Sequence, residues 1–240
     1  MTSISKNSNI HSTVVIEGNV SIASDVSIGP FCHIVGPVTI GEYTRISSHC
    51  VIKGPVIIGA KNRINPHCIF GTEPESRGQV AKGMIQIGNN NIFTEKTVIT
   101  HGTSSKGTTI GNENYFLGNV HVSHDCNLGN QITAAHNVVF AGETNVQDGA
   151  TIGIGAAIHQ NSTIGAYSMI GMNSTITKDV PPFTMVFGNP AKIRKWNTYQ
   201  MNKLGMTKIP SGEIYEKYHT KFIEVSRREI LDISSMIDSK

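Results

Sequence analysis

Near the middle of the chain, His121-Val122-Ser123-His124-Asp125-Cys126 sets two imidazoles three residues apart with a carboxylate beside the second. A carboxylate next to a histidine can orient and polarise the ring, which is what a general base requires. His101 lies upstream, and Gly142 and Gln160 follow His124 at 18-residue steps, flanked by Glu143 and His159. A divalent ion is the competing reading for regularly spaced histidines. Gly142 and Gln160 would be poor ligands, however, and no H-E-x-x-H or cysteine cluster accompanies them, so base chemistry without a metal is preferred. Cys32, Cys50 and Cys68 also fall 18 residues apart, a spacing that suits neither a zinc finger nor a redox pair.

The 18-residue interval belongs to a shorter repeat. Isoleucine occupies positions 4, 10, 16 and every sixth residue to Ile64; the series passes through Phe70, resumes at Ile87, Phe93 and Ile99, and runs again from Ile110 to Ile176, for 27 hexads. A period of six fits neither a helix nor simple strand alternation. It fits a solenoid whose short flat sides each turn one aliphatic residue inward. Three hexads make one coil, which gives about nine coils, stacks the three cysteines as core residues and places His101 and His124 at one offset of adjacent coils. Two insertions, 71–86 and 102–109, leave the same column of this three-sided prism, and loops thrown from one face of a regular scaffold are where function is expected.

Composition agrees with a thin core: of 240 residues, 38% are hydrophobic, 6% aromatic and 15% charged, with 24 glycines. A net charge of +3 without a basic run argues against nucleic acid. Residues 149–177 lack Asp, Glu, Lys and Arg, yet Gln160, Asn161 and Asn173 within them would need partners in hydrocarbon, so no membrane span is expected. Met1 to Asn9 carries no secretory pattern, and a cytoplasmic location is expected.

The repeat ends at Asp179-Val180-Pro181-Pro182. After Gly188-Asn189-Pro190, Ile214, Tyr218, Phe222 and Val225 follow helical spacing. The expected organisation is a β-helix over 1–186 and a helical region over 187–240.

The hexads, His121-Val122-Ser123-His124-Asp125-Cys126, His101-Gly102, Ala157-Ile158-His159-Gln160, Asp179-Val180-Pro181-Pro182 and Gly188-Asn189 together resemble the UDP-N-acetylglucosamine O-acyltransferases of lipid A and lipopolysaccharide synthesis. The resemblance covers essentially the whole chain. It implies an all-β solenoid, a left-handed parallel β-helix, assembled as a homotrimer that moves an acyl group from acyl carrier protein to a nucleotide-sugar hydroxyl. The handedness comes from the family, since crossovers are otherwise right-handed.

By the same resemblance His124 is the general base, Asp125 its orienting carboxylate and the Gly142 amide the donor to the oxyanion. His101, His121, Glu143, His159, Gln160, Asn197, Lys203, Ser76 and Arg77 fall at substrate-contact positions, and Met172 at the position that limits acyl length. Glu143 replaces a family histidine, Glu75-Ser76-Arg77-Gly78 replaces a Gln-Asp pair followed by a lysine, and Tyr199 and Lys203-Leu204 replace a Glu and an Arg-Arg pair. No cofactor is implied beyond a thioester co-substrate on acyl carrier protein or coenzyme A. The alternatives are an acyl-CoA-dependent N-acyltransferase of a nucleotide-linked amino sugar and a non-catalytic binding solenoid.

Overall fold

The computed structural model describes residues 2–206. The 27 hexads form 27 strands of two to four residues, which wind into three parallel faces. The first face begins at Ser3–Ile4, the second at Asn9–Ile10 and the third at Val15–Glu17; each next strand of a face is the third along the chain. Pairing holds one register: Ile4 stands opposite Ile22, and Ile22 opposite Ile40. The two insertions do not disturb it, since Ile58 pairs with Ile87 and Ile87 with Ile110. A slip of one residue would turn every inward side chain to solvent, so the isoleucine column itself fixes the register.

From Ile22 to Ile176 every hexad residue is at most 3% exposed. Ile4, in the first coil with no coil beneath it, is 45% exposed, as at the end of any stacked repeat. Cys32, Cys50 and Cys68 are buried and free, as their spacing suggested. Their thiols donate to turn carbonyls of the next coil, Cys32 to Ser47 O at 2.9 Å and Cys50 to Asn65 O at 3.2 Å. Phe70, Phe93, Phe116 and Phe140 fill the middle of the column, with the first two rings edge to face and their centroids 5.2 Å apart.

Another stack works at the corners. Asn62, Asn91 and Asn114 are buried, and the Oδ1 of each accepts the N–H one coil on, from Asn91, Asn114 and Ile132 respectively. Buried amides are tolerated there because their donors and acceptors are matched along the stack.

The end of the solenoid differs from the expected boundary at 187. Thr184–Gly188 joins the second face parallel to Met169–Ile170, and Ala191–Trp196 folds back antiparallel on it. The physical reason is that Val186 and Trp196 need cover: both are buried, and Gly188-Asn189-Pro190 turns the chain between them. Helix begins only at Thr198–Lys203, capped by Asn197. Ile214, Tyr218, Phe222 and Val225 lie outside the described residues. Among those described, no helix is long and apolar enough to cross a membrane.

Candidate active site

His124 follows the third-face strand His121–Val122, at the corner where the chain turns toward the first face. Asp125, Glu143 and Asn161 all have φ near +60°, so three successive coils turn this corner alike. Equivalent turns place His124, Gly142 and Gln160 in one column. The strands that precede them, His121–Val122, Val139–Phe140 and Ala157–Ile158, are hydrogen-bonded neighbours. The preceding third-face strands, Ile69–Thr72 and Val98–Thr100, are the ones that launch the two inserted loops.

His124 Nδ1 lies 3.0 Å from Asp125 Oδ2. The side chains are 16% and 8% exposed. Asp125 is held by the second loop: the Thr103 N–H and Oγ–H donate to Oδ2 at 2.8 and 2.7 Å, and the Ser104 N–H and Oγ–H to Oδ1 at 3.1 and 2.6 Å. Burial opposes the charge, but the hydrogen bonds from Ser104, Thr103 and His124 outweigh it and hold the carboxyl down at about 2. An ionised carboxylate only accepts, so Nδ1 carries the proton and the lone pair is left on Nε2. That is the tautomer a base requires.

Gly142 lies beneath the ring. A Cβ built on it would come 2.5 Å from His124 Nε2, so a side chain there would displace the imidazole. Among the described residues no group accepts the Gly142 N–H. An unspent backbone donor beside a base can receive an oxyanion.

The first loop also reaches the column. Glu75 Oε2 accepts from His121 Nε2 at 2.8 Å and from Ser123 Oγ at 3.1 Å. Ser76, Arg77 and Glu75 therefore stand on a loop anchored one strand position from the dyad. His159 and Gln160 are exposed two coils on, and Glu143 is exposed beside Gly142.

Other expected site residues fall elsewhere. His101 shares the offset of His124 but is not an open rung: it is 3% exposed, and Nε2 lies 3.0 Å from Lys53 O. The strand shifts register between Phe70 and Thr72, and the ring packs over Gly71, whose Cβ would come 3.0 Å from Nε2. Asn197 is 5% exposed; its amide donates to Tyr167 O at 2.8 Å and its Oδ1 caps the helix. Asn197 and the following Lys203 start from the corner between the first and second faces. Met172 projects from the corner between the second and third, 69% exposed.

Sequence reasoning missed Thr103, Ser104 and Thr108. The Thr108 Oγ accepts the Asp125 N–H at 3.0 Å. The available signal was Gly102-Thr103-Ser104 in an insertion on the histidine column, since small hydroxyl residues in such loops serve as local donors. The fourth cysteine, Cys126, is not a nucleophile: burial pushes its thiol up to about 12, and it donates to Ala141 O at 3.2 Å. Among the described residues, no three His, Cys, Asp or Glu side chains are grouped to hold a metal.

A hexad solenoid bearing a carboxylate-backed imidazole over a glycine amide defines a hexapeptide-repeat acyltransferase, and residues 20–54 match the family described as bacterial transferase hexapeptide (six repeats). The likeness extends much further. The acyl-(acyl-carrier-protein)–UDP-N-acetylglucosamine O-acyltransferase of Aliivibrio fischeri is 45% identical over 218 residues, 90% of this chain and 83% of the relative. That of Aliivibrio salmonicida is 44% identical over 237 residues, 95% of this chain and 90% of its own. Among solved structures, LpxA from Acinetobacter baumannii superposes with a TM-score of 0.81 at 36% identity, covering 94% of this chain and 90% of that one. The chain belongs to the UDP-N-acetylglucosamine O-acyltransferase family, and its fold is the family's left-handed parallel β-helix.

Proposed function

We propose that this enzyme transfers an acyl group from an acyl carrier protein thioester to a hydroxyl of UDP-N-acetylglucosamine, in the cytoplasm, as a step of lipid A synthesis. The observation that carries the chemistry is the His124–Asp125 dyad seated over the Gly142 amide. The names of the relatives supply the substrates.

His124 Nε2 takes the proton of the sugar hydroxyl as its oxygen attacks the thioester carbonyl. The Gly142 N–H receives the oxyanion of the tetrahedral intermediate. Collapse breaks the C–S bond, and the proton held by His124 passes to the departing sulfur. A thioester is already activated, so no bound cofactor is needed beyond the co-substrate.

A homotrimer is part of the proposal. The dyad, Met172 and the Asn197–Lys203 segment sit at three different corners of one prism. Neighbouring copies around a rotation axis would bring the second and third of these to the first, and closed rotational symmetry would do so for every site alike. Mass measurement by light scattering tests this; an active monomer would contradict it.

The chemistry is tested by His124→Ala in a thioester-consumption assay, with products weighed across a panel of donors and acceptors. Transfer should fall by a factor of about 10² to 10⁴ with circular dichroism unchanged. Retention of a tenth of wild-type turnover, or a product whose new bond is to nitrogen, would overturn the reading.

A further inference from the structure

We propose that Thr103 and Ser104, on the second inserted loop, are positioning residues for catalysis: their side-chain hydroxyls fix the Asp125 carboxylate and, through it, the working orientation of His124. The inference rests on the proposed base role of His124.

Four donors from two adjacent residues converge on one carboxylate, two to each oxygen. A clamp of this kind is more than a loop anchor needs. Among the described residues no Lys or Arg pairs with Asp125, so its charge is met by these neutral donors and the His124 N–H. Backbone N–H groups alone would fix its position along the column. The two hydroxyls, at 2.7 and 2.6 Å, add shorter contacts to both oxygens and set the rotation of the carboxylate plane, and hence the direction in which Oδ2 meets Nδ1.

The loop is built to approach this closely. A Cβ on Gly102 would lie 2.6 Å from Asp125 Oδ1 and 2.5 Å from Gly107 Cα. Gly102 O in turn accepts the Lys82 and Gly83 N–H groups of the first loop at 2.9 and 3.1 Å. The two insertions are thus locked together behind the dyad, and a backbone without side chains is the material that permits it.

The charged and titratable groups on the elements around His124 are Asp125 and buried Cys126 on its own turn, Glu143 one coil on, His159 two coils on, His121 on the preceding strand, Glu75 and exposed Lys82 on the first loop, buried His101 one coil before, and exposed Lys106 in the second loop. Of these, Asp125 is the group the two hydroxyls touch. Removing them frees the carboxylate to turn away from Nδ1, so the pH dependence that the dyad sets should change with the rate.

The test is kcat/KM against pH for Thr103→Val/Ser104→Ala beside Thr103→Ser/Ser104→Thr, with His124→Ala as control. The first variant should lose about 100-fold in kcat, as expected for a misdirected catalytic group, with acceptor KM nearly unchanged. Its acid limb should move, and the conservative pair should restore both rate and profile. A rate within about twofold of wild type, or a loss of rate with the acid limb unmoved and no rescue, overturns the proposal. Activity surviving in His124→Ala would instead remove the reading on which it rests.

Discussion

The His124 imidazole lies against the backbone of Gly142, so close that a Cβ there would come 2.5 Å from Nε2. Gly142 is not in the left-handed region, so alanine meets no backbone penalty and its effect isolates the contact. Gly142→Ala is expected to lower kcat by about 100-fold through displacement of the base. The melting temperature should barely move, and initial rates at saturating substrates check the prediction. Wild-type kcat would mean that the ring does not work from this position.

Asp125 links the site to stability. Its carboxyl is held at about 2, below the ordinary 3.8, so its contribution is fully present above about pH 4 and is lost as pH falls through 2. The shift corresponds to about 2 kcal/mol. Asn suits the positive φ at this position, so Asp125→Asn tests the charge without breaking the turn. Thermal melts from pH 7 to pH 3 should show a gap between wild type and variant that narrows as pH falls. A gap independent of pH would contradict the clamped-carboxylate account.

The solenoid was legible because each coil repeats one constraint: an isoleucine every sixth residue can pack only one way, and the lattice carried both loops and His124 to the correct corner. It failed for His101. Position in the lattice gives the corner but not the depth, and the shift at Phe70/Thr72 together with the covering loop buries that ring. The partner of the Thr103–Ser104 hydroxyls was not legible for a related reason: their type hinted at local donors, but a loop's path is set by close glycine approaches such as Gly83 to Ser104 rather than by its own period. The hairpin after Phe183 was hidden by the proline-rich segment before it, although Ala191–Trp196 has the outward charges and buried tryptophan of a capping strand.

Glu75 is expected to matter for substrate more than for fold. Its hydrogen bond with His121 leaves the carboxylate side chain 53% exposed, and such exposed contacts contribute less than about 1 kcal/mol. Glu75→Gln should therefore melt like wild type. The resemblance places an acid and a lysine where this loop has Ser76 and Gly78; Glu75 tethers the loop to the column, and weakening that contact should raise the acceptor KM several-fold. The same departures predict that a 3-hydroxyacyl donor and its deoxy counterpart differ by less than about tenfold in kcat/KM, because Ser76 and Gly78 lack the acid and lysine to which the resemblance assigns that hydroxyl. Discrimination of several orders of magnitude would point to Arg77 or Glu75 as a replacement reader.

Met172 is the proposed limit on acyl length. Within one chain it is an outward thioether at the corner between the second and third faces, 69% exposed. In the proposed trimer, a bulky flexible side chain at the end of an acyl groove between copies would exclude long tails, which favours short or medium donors. Met172→Gly should shift the optimum to longer chains. Each added buried methylene contributes about 0.8 kcal/mol, roughly a fourfold change in kcat/KM per carbon, so a gain of two or three carbons stands well outside assay error. The solenoid should be untouched, because Met172 is not among the buried residues that hold the coils together. A chain-length profile identical in wild type and Met172→Gly would show that the side chain is surface alone and that the ruler, if there is one, lies elsewhere.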